Sequence, residues 1–354
     1  EGLPSREEMA QRQATGTGMT RPELAVLLSY AKIALSDDLI RSSLPDDPVC
    51  EPLLINYFPH ALRERFLDDI KAHRLRREII VTGLTNALLN RGGPAMAVRL
   101  GDETGREPAD IAAAFIAASA IFQLPELWHA IDQLDNKIPG QFQLDLYARV
   151  QEFLIEAVTN MLRHGRDGSL AATIAAHHAG TQQLASILAA CLTPHQLDRL
   201  ARTREELTRN GAPQDLARRL AALDYLTHAT TITRLAHETG RPLADAARIA
   251  FAASEYFRVD ELKQLTASLH LRDYYDQLAI NGAIRTLDTA RRALVREILS
   301  RPGSVDLGEW EKERGVLLAR AKSALDEMAA TGDVTVSRLT VAASQVRDLI
   351  ATDA

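Results

Sequence analysis

Cysteine is nearly absent: Cys50 and Cys191 are the only thiols in 354 residues. Two thiols cannot build a disulfide framework or a four-cysteine zinc site, and they suit small buried positions in a reducing cytoplasm. Aromatic residues are scarce at 5%, whereas hydrophobic residues reach 46% with alanine and leucine abundant. That mixture favours helix over sheet. Long apolar runs are missing too. The longest uncharged stretch, residues 168–197, is interrupted by His177, His178, Gly180, Thr181, Gln182 and Gln183, so nothing approaches the roughly twenty apolar residues that span a bilayer. A strong excess of either charge is also lacking. The net charge of −6 is scattered along the chain, which implies neither a nucleic-acid footprint nor an anionic-membrane patch. No basic segment followed by an apolar one opens the sequence, and residue 1 is Glu rather than Met, so a piece of a longer polypeptide is expected.

What is present is a repeat. Residues 99–127, RLGDETGREPADIAAAFIAASAIFQLPEL, recur at 234–262 as RLAHETGRPLADAARIAFAASEYFRVDEL, offset by 135 residues with 15 of 29 positions identical. Unrelated stretches would share about two or three. Fixed-offset similarity marks each copy as one packing unit that buries an apolar face against its neighbours. In each copy a short helix should end at ETG, where Gly105 or Gly240 can take a left-handed conformation. A second helix should follow, with Pro108 or Pro242 in its first turn and Phe122 or Phe257 as an equivalent apolar plug.

Helix signals dominate elsewhere. Ser5 with Glu8 and Thr20 with Glu23 read as capping boxes, and Leu24, Leu27, Leu28, Ala31 and Leu35 share a face at three- and four-residue steps. Asp46, Asp47 and Pro48 open a helix ending near Pro59. A long helix is predicted from about residue 60, striped by Leu62, Phe66, Ile70, Ile79, Ile80, Leu84 and Leu88 and stopped by Gly92, Gly93 and Pro94. Further helices are predicted over 140–164, 170–192, 194–209, 213–238, 273–300, 305–331 and 335–352, with no sustained strand alternation anywhere.

Candidate chemistry is thin. Gly16-Thr17-Gly18 begins like a dinucleotide loop, but Arg21 stands where the third glycine belongs and no strand precedes it. The phosphate-loop, acyl-transfer and zinc-protease signatures do not occur. Adjacent His177 and His178 point about 100° apart on a helix. Glu126 and His129 make one Glu-x-x-His step, yet the second copy has Glu261 with Gln264, so the symmetric half of a di-iron site is missing. The pairs Asp37-Asp38, Asp46-Asp47 and Asp68-Asp69 read as caps or solvated acids. Arg63, Arg65, Lys71, Arg74, Arg76 and Arg77 alternate with Glu64, Asp68, Asp69 and Glu78 as on a salt-bridged face. Lys32 reads as a snorkelling stem. No catalytic, cofactor-binding or metal-ligating residue is assigned.

The runs TRPELAVLLSYAKIALSDDL at 20–39 and EPLLINYFPHALRERFLDDIKAHRLRREIIVTGLTNALLNRGG at 51–93, continuing through both repeats, resemble the C-terminal region of the large bacterial NAD-dependent glutamate dehydrogenases. The resemblance covers nearly the whole chain, weakening at 165–210 and after 300. It implies a parent enzyme that converts L-glutamate, NAD and water to 2-oxoglutarate, ammonium and NADH. It also implies that NAD and the catalytic groups belong to an upstream domain, so this region would hold no cofactor itself and would serve assembly or regulation.

The expected architecture is therefore an all-α, multi-helix array containing a duplicated helical unit. Its segments are an N-terminal one (1–95), repeat 1 (96–165), connecting helices (166–210), repeat 2 (211–300) and a C-terminal tail (301–354). Expected partners are the upstream catalytic domain of the same chain and further copies of the parent as a homo-oligomer, with no nucleic acid and no membrane. The helices of 169–197, with Leu170, Ile174, Leu184, Ile187, Leu188 and Cys191 at helical spacing, are either a subunit or interdomain interface or a buried core hairpin. An alternative function is effector binding in a groove between the repeats, with Arg106 and Arg241 as equivalent candidates.

Overall fold

Capping chemistry sets the helix starts. Ser5 and Glu8, Thr20 and Glu23, and Thr193 and Gln196 each exchange side-chain and backbone hydrogen bonds as complete capping boxes. Arg12 also reaches Glu23 at 2.8 Å. That bond, with those from Thr20, pulls the Glu23 carboxyl down to about 2.

The computed structural model describes residues 3–164, 168–267, 269, 274–303 and 306–351, and every regular element among them is helical. The chain divides into two units, residues 1–178 and 179–354. In the first lie α1 (Arg6–Ala14), α2 (Arg21–Arg41), α3 (Glu51–Tyr57), α4 (His60–Arg65), α5 (Leu67–Lys71), α6 (Arg76–Ala87), α7 (Met96–Thr104), α8 (Pro108–Ile121), α9 (Leu124–Asp132) and α10 (Gly140–His164). The boundary falls within α11 (Leu170–Cys191). The second unit continues with α12 (Pro194–Arg209), α13 (Gln214–Leu226), α14 (Ala229–Thr239), α15 (Leu243–Tyr256), α16 (Val259–Ala267), α17 (Tyr274–Ser300), α18 (Leu307–Thr331) and α19 (Val336–Ala351).

An alanine-rich helix sits at the centre of each unit. Ile111, Ala112, Ala113, Phe115, Ala117, Ala118 and Ile121 of α8 are all buried, as expected of a helix that is apolar all round. Around α8 pack α2, α7, α9 and α10. Phe122 meets Phe153 of α10 edge-to-face at 4.8 Å. In the second unit α15 buries Ala246, Ala247, Ile249, Ala250, Phe251 and Ala253, and α14, α16, α17 and α18 surround it. Here α17 supplies a stripe of Ile280, Ala283, Leu287, Ala290, Leu294 and Ile298, the period of a helix face. Each fully buried leucine or isoleucine contributes about 1.5–3 kcal/mol.

Both stretches of the repeated sequence follow the same local path. The first helix ends at a left-handed glycine, Gly105 with φ +67° and Gly240 with φ +65°. A helix of 14 residues follows in each case. Gln123 at φ +52° and Arg258 at φ +53° then turn the chain into a helix of 9 residues.

Three expectations need correction. The long helix from residue 60 is three short ones, α4, α5 and α6, broken at Phe66 (φ −131°, ψ 34°) and again at residues 72–75. Before the break, Arg63 turns back to donate to the Phe58 carbonyl at 2.6 Å and the Asn56 carbonyl at 2.9 Å, closing the end of α3. Leu62 and Phe66 are consequently exposed, and of the first turns of that stripe Ile70 alone is buried. The helix predicted over 213–238 splits at Thr227 and His228, where the His228 ring enters the core. Before α3, two 3₁₀ turns at Leu44–Asp46 and Pro48–Cys50 replace the predicted helical start, with Asp47 accepting from the Val49 N–H at 2.9 Å.

Gly105→Ala and Gly240→Ala should each lower stability by about 1–2 kcal/mol, the cost of a left-handed L-residue, since an added Cβ meets no atom within 4 Å at either site. Gly180→Ala fails for another reason, because its Cβ would lie 2.4 Å from Thr233 Cγ2, and should cost about 1–3 kcal/mol. Urea unfolding followed by circular dichroism measures all three.

Candidate functional site

Sequence reasoning singled out residues that the structure scatters. Gly16-Thr17-Gly18 lies in the turn between α1 and α2, with Gly16 at φ +69°. Glu126 and His129 of α9 both face solvent, and Glu261 pairs with Arg258 at 3.2 Å. His177 is buried while His178 is half-buried. Lys32 is half-buried on α2. Among the described residues no group of three or more His, Cys, Asp or Glu side chains is arranged to hold a metal ion. Burial, then Asp47, pushes the Cys50 thiol up to about 11, and burial first also raises Cys191, so neither is a ready nucleophile.

The basic run around residues 63–77 does form ion pairs, but across elements rather than along one helix. Arg76 and Arg77 both reach Asp46, the former at 2.8 Å, and Lys71 reaches Glu51 at 3.1 Å. Of the stripe on α11, Leu170, Leu184, Leu188 and Cys191 are buried within the chain as core, while Ile174 and Ile187 are half-buried. Among the described residues no single helix is long and apolar enough to cross a membrane. The α8–α9 pair passes by composition but bends by 72°.

A buried charge network in the second unit escaped the sequence reading. Arg291 of α17, 2% exposed, reaches Asp288 at 2.7 Å and approaches the Ala250 carbonyl of α15 at 3.5 Å. Its Nη2 lies 3.3 Å from His228 Nδ1. A guanidinium is only a donor, so Nδ1 accepts and the ring proton sits on Nε2, which faces Asp260 Oδ1 at 3.7 Å. Asp260 also accepts from Ser254 Oγ at 3.2 Å and has Arg199 at 4.0 Å. Arg199 in turn donates to Tyr225, whose hydroxyl donates to the Gln196 carbonyl at 2.9 Å. Among the described residues no hydroxyl or thiol bonds to the His228 ring, whose Nδ1 is held by arginine, so the arrangement is that of a buried ion network.

One signal could have revealed it. Both copies of the repeat carry the serine, Ser119 and Ser254, but Pro125 stands in the first copy where Asp260 stands in the second. Ser119 Oγ is accordingly buried without a hydrogen-bond partner.

The two arginines singled out as equivalent are used differently. Arg241 caps the end of α17, donating to the Leu299 carbonyl at 2.9 Å and to that of Arg301. Arg106 has no hydrogen-bond or ion-pair partner among the described residues and borders a groove of about 300 Å³ in the first unit, between α2 and α7.

Burial raises the carboxyls of Asp260 and Asp288, but the groups facing them outweigh it: the His228 N–H with the charges of Lys263 and Arg199 for Asp260, and the charges of Arg291, Lys263 and Arg292 for Asp288. Both titrate well below the ordinary aspartate value of 3.8. An unfolded chain thus binds protons that the folded one refuses, so the network's contribution is full above pH about 4 and is lost as pH falls below it. Asp288→Ala should cost about 3–5 kcal/mol at neutral pH by stranding Arg291. Its unfolding free energy should also fall less steeply between pH 5 and 3, a range of about two units, than that of the parent chain. Urea titrations across that range report both.

Comparison with known proteins places this architecture. The family described as "Glutamate dehydrogenase, C-terminal" matches residues 16–348. The NAD-specific glutamate dehydrogenase of Halomonas elongata is 34% identical over 303 residues, which cover 86% of this chain and 19% of that protein. Those of Mycobacterium tuberculosis and Pseudomonas aeruginosa are 32% and 30% identical, each over 99% of this chain and 22% of their own length. The chain spans about a fifth of the length of the curated relatives it matches. With similarity running through both repeats and the helices packed around them, the chain belongs to the glutamate dehydrogenase C-terminal family.

Proposed function

We propose that this chain is the helical C-terminal portion of a large NAD-dependent glutamate dehydrogenase. The parent converts L-glutamate, NAD and water to 2-oxoglutarate, ammonium and NADH with groups outside this region. The region itself is non-catalytic and serves assembly: the first unit docks the rest of the polypeptide, and the parent works as a homo-oligomer. Family membership, with relatives some five times longer, supports a larger polypeptide around these helices.

The observation that carries the docking role is an uneven surface. Of the large hydrophobic side chains exposed among the described residues, all but Tyr275 and Val341 belong to the first unit. On the N-terminal half of α2, Leu24 is 50% exposed, Leu27 42%, Tyr30 50% and Ile33 57%. Their three-residue steps spread them around about half of the helix circumference. Tyr57, Leu62, Phe66, Leu67 and Leu75 add to the exposed apolar surface of the same unit. Scattered hydrophobics are ordinary, but a concentration of this kind marks a surface that a partner covers.

Leu27→Asp with Ile33→Asp should leave helix content and melting temperature unchanged, because neither side chain is in the core. Binding to the remainder of the polypeptide, supplied as a separate chain and measured by calorimetry, should weaken at least about tenfold. Unchanged affinity would refute docking through α2. Reduction of NAD by L-glutamate with this chain alone would refute the non-catalytic role.

A further inference from the structure

Helix α1 is fastened to α2 by one ion pair. None of its residues is buried, and only Met9 and Arg12 are half-buried. Arg6, Glu7, Glu8, Gln11 and Gln13 leave it no apolar stripe, and a helix of 9 residues that is polar on most sides does not hold its form in water unaided. Arg12 supplies the support: Nη1 donates to Glu23 Oε2 at 2.8 Å and Nη2 to Glu23 Oε1 at 3.0 Å, the forked geometry that gives a guanidinium–carboxylate pair its direction. No other hydrogen bond or ion pair joins α1 to another helix among the described residues. The same carboxylate accepts from the Thr20 N–H at 2.6 Å and from the Thr20 hydroxyl at 2.8 Å. One side chain therefore closes the start of α2 and fastens α1 to it. Between the two helices Gly16 takes φ +69°, and the Thr17 N–H donates to the Arg12 carbonyl at 2.7 Å, ending α1.

The two duties of Glu23 differ in what undoes them. Its cap spans three residues of one helix and forms whenever α2 does. Its pair with Arg12 bridges separate helices at the surface, where such pairs are weak and salt weakens them further. Loss of that pair leaves α1 without support and α2 intact. Position on α2 gives the pair its consequence. Leu27 and Tyr30 follow Glu23 at steps of four and three, on one stripe of the helix, and are 42% and 50% exposed. Both belong to the proposed docking surface. One helical turn rises about 5.4 Å and a helix with its side chains is about 10 Å across, so a helical partner seated on Leu27 reaches the place where Arg12 meets Glu23. We propose that α1 is an autoinhibitory strap: held by Arg12 on Glu23 it obstructs the head of the docking stripe, and it is released, with loss of its helix, when the rest of the polypeptide covers that stripe. This inference rests on the docking reading and adds to it the element that gives way.

Hydrogen exchange of the chain, followed by mass spectrometry, reads the strap, and calorimetry with the remainder of the polypeptide reads its consequence. Arg12→Gln should make the amides of α1 exchange at least about threefold faster while those of residues 27–41 are unchanged, and about 0.5 M sodium chloride should do the same to the parent chain. Arg6→Gln, which removes an exposed arginine of the same helix, should exchange as the parent does. Arg12→Gln should also bind the remainder of the polypeptide at least about threefold more tightly, because docking then has no strap to displace. Exchange in α1 that is alike in the parent and Arg12→Gln, or an Arg12→Gln affinity that is unchanged or weaker, would overturn the strap. The Leu27→Asp, Ile33→Asp variant tells that result from a failure of docking. If it binds more weakly while Arg12→Gln binds as the parent does, docking stands and the strap falls; if neither variant changes the affinity, both readings fall.

Discussion

Close approach of helices around an alanine-rich axis is the constraint on which each unit depends. In α8 and α15 the small side chains let neighbours come close, so four helices can pack around each axis, with Arg248 marking the open side of α15. Larger residues there would hold those neighbours apart, and interiors packed near crystal density tolerate little such displacement. Phe122 and Phe257, both buried, close the end of each axis where the small residues stop. The left-handed turns at Gly105, Gln123, Gly240 and Arg258 redirect the chain so that the flanking helices pack against the axis they bracket.

The two units use different polar solutions around their central helices. Asp260 in the second unit recruits Ser254, His228 and Arg199, and Asp288 holds Arg291 beside them. Pro125 at the corresponding place removes the acid from the first unit and leaves Ser119 unsatisfied. Arg241 is consumed in closing a helix end, while Arg106 stands over an apolar groove. Buried charge fixes one packing among alternatives, because any rearrangement strands an ion in a low-dielectric interior. The second unit is thus organised around an internal network, and the first carries most of the large apolar side chains exposed among the described residues.

That division suits a region proposed to support chemistry done elsewhere. A unit with much exposed apolar surface is built to be covered, and a unit locked by internal ion pairs is built to hold its shape. Both buried thiols are chemically quiet, and the His228 ring is held on both sides within the core. The thiols and the His228 network thus serve packing and positioning, in keeping with the proposed assembly role.

Helix positions were largely legible because their signals are local. Capping boxes at Ser5 and Thr20, prolines in first turns and glycines past helix ends set boundaries within a few residues of chain, and α10, α12 and α17 begin and end close to where periodicity places them. The inward stripe of α11 was legible as a stripe, though not as core rather than interface, since hydrophobic spacing says that a face is covered and not by what. The break at Phe66 was not legible, because no glycine or proline marks it in residues 60–75. The split at His228 depends on Asp260 and Arg291, 32 and 63 residues further along. Sequence alone thus determined the helical class, the repeat and most helix ends, because backbone hydrogen bonding and capping act over three or four residues. Only the tertiary structure decided which polar groups meet, which leucines stay in water and where a groove opens, because electrostatics and burial depend on distances in space that no sequence interval encodes.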